Sequence, residues 1–509
     1  MQDAFRSKLA RLRREGDRLR GASGGAPGSE PEKGPGEKGP GEKGPGEETA
    51  AGLLGGGLGE AGLAAEVRSP VRGAPSAGMP ASLKARLRGG MGSGPAAGDS
   101  GGRPSRPAPL GGPLTQGGAD GLRAASAAPP AALVEVRRAE GAFAVRETRV
   151  DVATWRHGGW RLDEVDAAVP SAIARLSKDA ALGSMPLREA VYLDTETSGL
   201  SGGAGVYVYM VGLGWFEGGE FVSWQGFLRE PGEERAMLAA VAERLRAASG
   251  MVSFFGKSFD RHRLEDKMRI AGVEAPFEGL AHLDLYHPFR RLTQGSLPDG
   301  RLQTMERELL DFHRTDDLPG SFAPAAWFDY LAGRAHRLEG VFEHNHHDVL
   351  SLAALAAYLG RSVLECRADG APLSGAAGQR AVALAETAVD EEDELRWIGT
   401  AFERGAAGEA RRRLQVRQAH LHRRAGRVDL ARQAYRGALE ECSEDRYAVE
   451  LLTGGSMLLE RQLGDPTSAH RLAERAVEAG VRLGLTARQQ ARLRDRARRL
   501  ARLAAPEAP

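Results

Sequence analysis

Between residues 131 and 362 the chain opens with extended runs and then alternates strand with helix, and this order constrains the fold more than any other feature. ALVEVRR and FAVRETRV, separated by AEGA, predict a hairpin, and residues 164–178 predict a helix. VYLD is a short apolar run that ends at Asp194. VYVYMVGLGWF (206–216) and EFVSWQGFL (220–228) predict two strands joined at EGG (217–219). EERAMLAAVAERLRAAS (233–249) lies between Pro231-Gly232 and Gly250 and predicts a helix. A buried strand at MVSFF (251–255), a helix at 261–271 ended by Gly272 and a strand at AHLDLYH (281–287) follow. Further helical segments end with EHNHHDVLSLAALAAYLG (343–360). Three leading strands followed by alternation predict an α/β domain with a mixed sheet flanked by helices.

The flanking regions differ in kind. Residues 1–20 are charged throughout, with Phe5, Leu9, Leu12 and Leu19 near one face, and read as a short basic amphipathic segment or as a solvated helix or disordered tail, without a secretory core. Residues 21–130 are rich in Gly, Pro, Ala and Ser and contain EKGPGEKGPGEKGPGEE. Such a run cannot bury enough apolar surface to offset the entropy of ordering, so a disordered linker is expected. Its five-residue period excludes collagen. Residues 375–505 read as helix throughout. LHRRAGRVDLARQAYRGAL (421–439) aligns with LERQLGDPTSAHRLAERAV (459–477), matching Gly426 to Gly464, Ala431 to Ala469 and Ala438 to Ala476. That spacing predicts a tetratricopeptide-like helical domain.

Charge and cysteine content exclude some classes. The net charge of +1 gives no overall bias toward polyanions. Between 404 and 505, however, arginine outnumbers acidic residues 22 to 12 with no lysine, which favours a nucleic-acid contact or reflects solvated arginine on helix faces. Cys366 and Cys442 fit no disulfide framework, so a reducing cytoplasm is the expected compartment. No apolar run is long enough to cross a membrane.

Three elements carry chemistry. In DTETSGL (194–200), Asp194 and Glu196 sit two apart at a strand end and therefore share one face. Two carboxylates facing one way repel unless a hard cation such as Mg²⁺ or Mn²⁺ lies between them. Alternatively the segment is a polar strand end and turn. In MVSFFGKSFD (251–260) a buried strand delivers Asp260 just before a helix, where Asp260 or Ser258 otherwise reads as an N-cap. Lys257 is close enough in sequence to touch phosphate. In HNHHDVLSLAALAAYL (344–359), Val349, Leu352, Ala353, Ala356 and Leu359 form a core stripe. Asp348 borders that stripe, and His344 lies one turn earlier. The plain alternative is an exposed, His-rich helix start. The loop SGGAG (201–205) lacks the features of a nucleotide-binding motif.

Strand Asp-x-Glu, loop Asp and helix Asp in this order resemble the four-carboxylate (DEDD) exonuclease superfamily, and within it the bacterial YprB-type, ribonuclease-H-like domain family. The resemblance covers residues 132–362 and includes DTETSGLSGGAG, FFGKSFD, DLYHPFRRL (284–292), RLQTMERELLDFHRTDDLPG (301–320) and HNHHDVLSLAAL. It implies a nuclease domain over 131–365 with its core at 190–362, followed by the helical domain at 375–505. It also implies a 3′→5′ exonuclease acting on DNA or RNA, with Asp194, Glu196, Asp260 and Asp348 holding two divalent ions. The superfamily's general base is a Tyr four residues before the last Asp or a His five before it. Here His344 stands four before and Glu343 five before, while His347 points about 100° away. Phe255 departs from the polar residue, often Asn, expected before GKSFD. Asp284 reads as an outer carboxylate or as a salt-bridge partner of Arg290 or Arg291. The rival class is a non-catalytic scaffold that binds nucleic acid or a protein partner through the helical repeat.

Overall fold

The computed structural model describes residues 125–199, 205–315, 317–442 and 445–505. The expectations for 1–20, for most of 21–130 and for most of SGGAG fall outside the described residues. Seven strands form one sheet in the order β1-β2-β7-β6-β5-β8-β9. They are β1 (Val134–Arg138), β2 (Gly141–Asp151), β5 (Val191–Thr197), β6 (Val208–Glu217), β7 (Glu220–Phe227), β8 (Gly250–Ser253) and β9 (Ala281–Asp284). β3 (Arg156–His157) and β4 (Trp160–Arg161) make a separate ribbon. Antiparallel pairing joins β1, β2, β7, β6 and β5, whereas β5, β8 and β9 are parallel. The sheet is mixed, as the order of elements predicts.

Both faces of the sheet are covered, which is why β6 is apolar almost throughout and β5 begins with the apolar run Val191–Leu193. The helices of this part are α1 (Pro170–Ser177), α2 (Glu234–Arg246), α3 (Asp260–Ala271), α4 (Tyr286–Leu292), α5 (Leu302–Met305), α6 (Ala323–Leu331) and α7 (Leu338–Arg361). On one face Tyr192, Phe221, Val252 and Leu283 pack with Val349, Leu350 and Ala353 of α7. On the other, Val191, Leu193 and Met251 pack with Met237, Leu238 and Val241 of α2 and with Leu264 and Met268 of α3. Alternation of side chains along β5 sends its residues to these two faces in turn.

Several boundaries differ from the sequence expectations, each for a local reason. The helix expected at 164–178 is two elements, a 3-10 segment at Leu162–Ala167 and α1. Pro170 disfavours helical geometry at Val169, whose ψ is 111°. The strand expected at 281–287 stops at Asp284, because its carboxylate accepts from the Tyr286 backbone N–H at 3.1 Å and opens α4. The strand expected at 251–255 is Gly250–Ser253, since the chain turns at Phe255, where φ is +65°. The last helix begins at Leu338, five residues earlier than expected, so Asp348 lies in its middle and is buried rather than at an exposed start.

Beyond the sheet come α8 (Ala377–Glu386), α9 (Glu391–Glu403), α10 (Gly408–Arg424), α11 (Val428–Cys442), α12 (Ala448–Arg461), α13 (Pro466–Arg482) and α14 (Ala487–Ala504). The paired positions of the repeat have matching environments. Gly426 and Gly464 both adopt φ above +60°, and Ala431, Ala469, Ala438 and Ala476 are all buried between helices. One apolar cluster runs without a break from the sheet through α7 into Leu384, Ile398, Leu414 and Leu421 of α8, α9 and α10. Arg175 of α1 bonds Asp393 of α9 at 2.8 Å across the same seam.

Candidate functional site

Asp194 and Glu196 lie on β5 opposite Gly212 and Met210 of β6, on the face that α7 covers. Gly212 has no side chain at the point where Asn345 of α7 presses on the sheet: a Cβ there would stand 2.3 Å from Asn345 Oδ1. The fully buried Asn345 uses that space to donate from Nδ2 to Asp194 Oδ2 at 2.8 Å, and accepts from Gln225 Nε2 at 2.9 Å. A glycine on one strand and an amide on a helix thus fix the first carboxylate.

Asp260 opens α3, and the N-cap position is Phe259, with no side-chain cap. Capping is therefore not the role of Asp260 or of Ser258, which is exposed. The buried Asp260 instead accepts from Thr195 Oγ1 at 2.5 Å, which ties it to the strand bearing Asp194 and Glu196. The loop between β8 and α3 is shaped by Asp284, which accepts from the backbone N–H of Phe255 at 2.8 Å and of Lys257 at 3.0 Å. Among the described residues no ion pair joins Asp284 to Arg290 or Arg291; Arg291 donates to the Leu176 carbonyl and Arg290 lies over the Tyr286 ring. The left-handed backbone at Phe255 is one that Asn adopts with little strain, which gives a backbone reason for the polar residue expected there. The Phe255 ring packs edge-on to Tyr286 at 4.8 Å. Lys257 is exposed and lies 4.0 Å from Asp179.

Asp348 is reached by a residue that sequence reasoning did not single out. Arg314 donates to Asp348 Oδ1 and forms a two-pronged pair with Glu306 at 2.7 and 2.5 Å. His344 Nδ1 meets Asp317 Oδ1 at 2.8 Å, and its Nε2 lies 3.6 Å from Asp348 Oδ2. His347 points elsewhere, edge-on to Phe312 at 5.2 Å, as its place on the helix predicts. Glu306 sits in a turn of π-helix, Glu306–Leu310, between buried Met305 and Leu309. An acid in so apolar a register was the signal available in the sequence for this second layer.

The electrostatics link the four acids. Burial holds Asp194 well above its ordinary carboxylate range, and Asp348, Asp260 and Glu196 add to it against the Asn345 hydrogen bond. Burial also pushes Glu196 up to about 8; Asp348 and Asp260 add, and His344 and Arg314 oppose. Asp260 rises to about 7, by burial first, with Asp284 and Asp348 adding against the Thr195 hydrogen bond. Burial works against the charged form of His344, but Asp348, Asp317 and Glu196 outweigh it and raise the imidazole to about 10. Asp194, Glu196, Asp260 and Asp348 therefore act on one another electrostatically from β5, the start of α3 and the middle of α7.

All-oxygen donors of this kind suit a hard divalent cation, and their mutual repulsion is the cost that such a cation would relieve. Among the described residues, no group of three or more His, Cys, Asp or Glu stands as a ready metal cage. Asn345, Thr195 and Arg314 hold Asp194, Asp260 and Asp348 in their present positions.

Residues 191–360 match the model of the RNase_H superfamily. They form a ribonuclease-H-superfamily domain. The chain is also 32% identical over 175 residues to the uncharacterized protein YprB of Bacillus subtilis (strain 168). That match covers 34% of this chain and 42% of the relative, so the chain spans less than half the length of the protein it resembles. The ribonuclease-H domain begins at the first residue of β5 and ends one residue before the end of α7; the β1–β2 hairpin and the seven helices from α8 to α14 lie outside it. Among the described residues no helix is long and apolar enough to cross a membrane.

Proposed function

We propose that the ribonuclease-H domain is a metal-dependent nuclease that hydrolyses phosphodiester bonds in DNA or RNA, as a 3′→5′ exonuclease. What supports this reading is that Asp194 and Glu196 on β5, Asp260 at the start of α3 and Asp348 on α7 lie within electrostatic reach of one another. In this reading the four carboxylates hold two divalent cations, Mg²⁺ or Mn²⁺. Such cations, when bound, lower the pKa of an attacking water and neutralise charge on the leaving oxygen.

The chain's own residues do the rest. Asn345 and Thr195 fix the orientations of Asp194 and Asp260 before any ligand arrives, so less ordering remains to be done on binding. Asp317 fixes the His344 ring with Nε2 toward Asp348. In the metal-free chain His344 holds its proton and is a hydrogen-bond donor, suited to orienting a water or a phosphate oxygen. Exposed arginines of α14, including Arg488, Arg492 and Arg502, would meet the phosphate backbone, and the helical repeat would serve a protein partner. Cys366 and Cys442 are free, in keeping with a cytoplasmic protein.

The test is degradation of end-labelled oligonucleotides with Mn²⁺ or Mg²⁺. Asp194→Asn and Asp348→Asn are expected to lower the rate at least about 100-fold, the scale of losing one charge-stabilising group. Undiminished cleavage by either variant would refute the assignment. A wild-type protein with neither cleavage nor cation binding would favour the scaffold reading.

A further inference from the structure

We propose that Arg314 is a tethered counter-cation that occupies Asp348 in the metal-free protein and thereby weakens cation binding on that side of the cluster. The inference rests on the metal-dependent reading above. It starts from burial: the Arg314 side chain is only 5% exposed, and Glu306 only 1%. A guanidinium in such a place needs a permanent partner, because an unpaired buried charge is strongly destabilising. Glu306 supplies it through both oxygens, at 2.7 and 2.5 Å, a two-pronged geometry that the Arg fork matches. Glu306 is itself fixed by Ser351, whose Oγ donates to it at 2.5 Å. Ser351 lies three residues beyond Asp348 on α7 and so on the same side of the helix.

This anchoring has a consequence for Asp348. Arg314 stays paired with Glu306 whether or not it holds Asp348, so the Asp348 link can be broken without stranding a buried charge. The other strand and loop acids meet neutral donors instead, Asn345 at Asp194 and Thr195 at Asp260. A cation drawing on Asp194, Glu196 and Asp260 has no resident guanidinium to displace. A cation drawing on Asp348 must displace or share its Oδ1 with Arg314 and is repelled by it. The cluster is therefore asymmetric, with one strong and one weak position for a divalent ion. Glu306 and Arg314 are positioning residues that act through Asp348.

Calorimetric titration of the full-length chain with Mn²⁺, wild type against Arg314→Met, tests this. Two unequal binding events are expected for the wild type. In Arg314→Met the weaker one tightens at least about tenfold, as expected for removing a like charge within a few ångströms. Thermal unfolding gives a second readout: the variant melts lower than wild type in EDTA, and the gap narrows as Mn²⁺ saturates. If Arg314→Met fails to fold, Arg314→Lys keeps a charge but loses the fork, and about threefold tightening is expected. Unchanged or weaker Mn²⁺ binding by the folded variant overturns the inference while leaving the metal-dependent reading intact. Absence of any Mn²⁺ binding by the wild type overturns both.

Discussion

Replacing Glu196 with Gln removes one of the crowded acids with almost no change in shape, and its effect on stability depends on pH. The Glu196 carboxyl rises from 4.5 to about 8 in the folded chain, chiefly through burial. A raised folded value means that its contribution is fully present below pH 4.5 and is lost as pH climbs through 8. Between pH 5 and 7 the folded chain holds about one proton that the unfolded chain has released, so stability falls by about 1.4 kcal/mol per pH unit. Across that window the wild type loses about 2–3 kcal/mol that Glu196→Gln does not lose. His346 and His347 are held down near 4, mainly by burial, and titrate in the opposite sense. Both proteins contain them, so they cancel in the comparison. The assay is guanidinium unfolding of both proteins in EDTA at pH 5, 6, 7 and 8, plotted as the difference in unfolding free energy. The variant is expected to gain steadily on the wild type as pH rises. A difference that stays flat from pH 5 to 8 would show that Glu196 is not held against its neighbours, and the electrostatic account of the site would fail.

Other outcomes follow from single contacts. Gly212→Ala would set a Cβ 2.3 Å from Asn345 Oδ1 and is expected to cost about 1–3 kcal/mol, measured by denaturant unfolding. Asn345→Ala vacates that space, so the double variant should be more stable than the sum of the two single changes by more than about 1 kcal/mol, and simple additivity would sink the packing account. Phe255→Asn relieves a left-handed backbone at φ +65° while losing an aromatic contact to Tyr286. The two effects nearly offset, so the net change should stay under about 1 kcal/mol; a loss above about 3 kcal/mol, typical of a buried aromatic, would contradict the strain argument.

The parts of the fold visible in the sequence are those set by local pattern. A short apolar run with a terminal acid marks β5, the turn residues EGG mark the β6–β7 hairpin, and the stripe from Val349 to Leu359 marks α7. Asp194, Glu196, Asp260, Asp348 and His344 were all in view as side chains, and the structure brings them within electrostatic reach of one another. What pattern could not reveal depends on neighbours far apart in the chain. Asn345 matters only because Gly212, on a different element, leaves room for it. Arg314 matters only because the loop after the π-turn folds back onto α7. Asp284 reads in the sequence as an outer carboxylate or as half of an ion pair, and its oxygens serve backbone N–H groups of a loop nearly thirty residues earlier. Boundaries failed where one residue overrode a trend, as Pro170 did within the helix expected at 164–178.

The uninterrupted apolar packing from α7 into the next three helices sets how the polypeptide can be divided. From Ser351 to Gly360, α7 is enclosed on every side, and Tyr358 is held by Arg380 of α8 and by the carbonyl of Ser374. Severing the polypeptide near residue 365 would therefore strip the wrapping from that helix and leave a sticky, poorly soluble fragment, although the sheet and all four acids would still be present in it. The sheet domain and the helices that follow it do not meet at a hinge: α8, α9 and α10 complete the interior around α7.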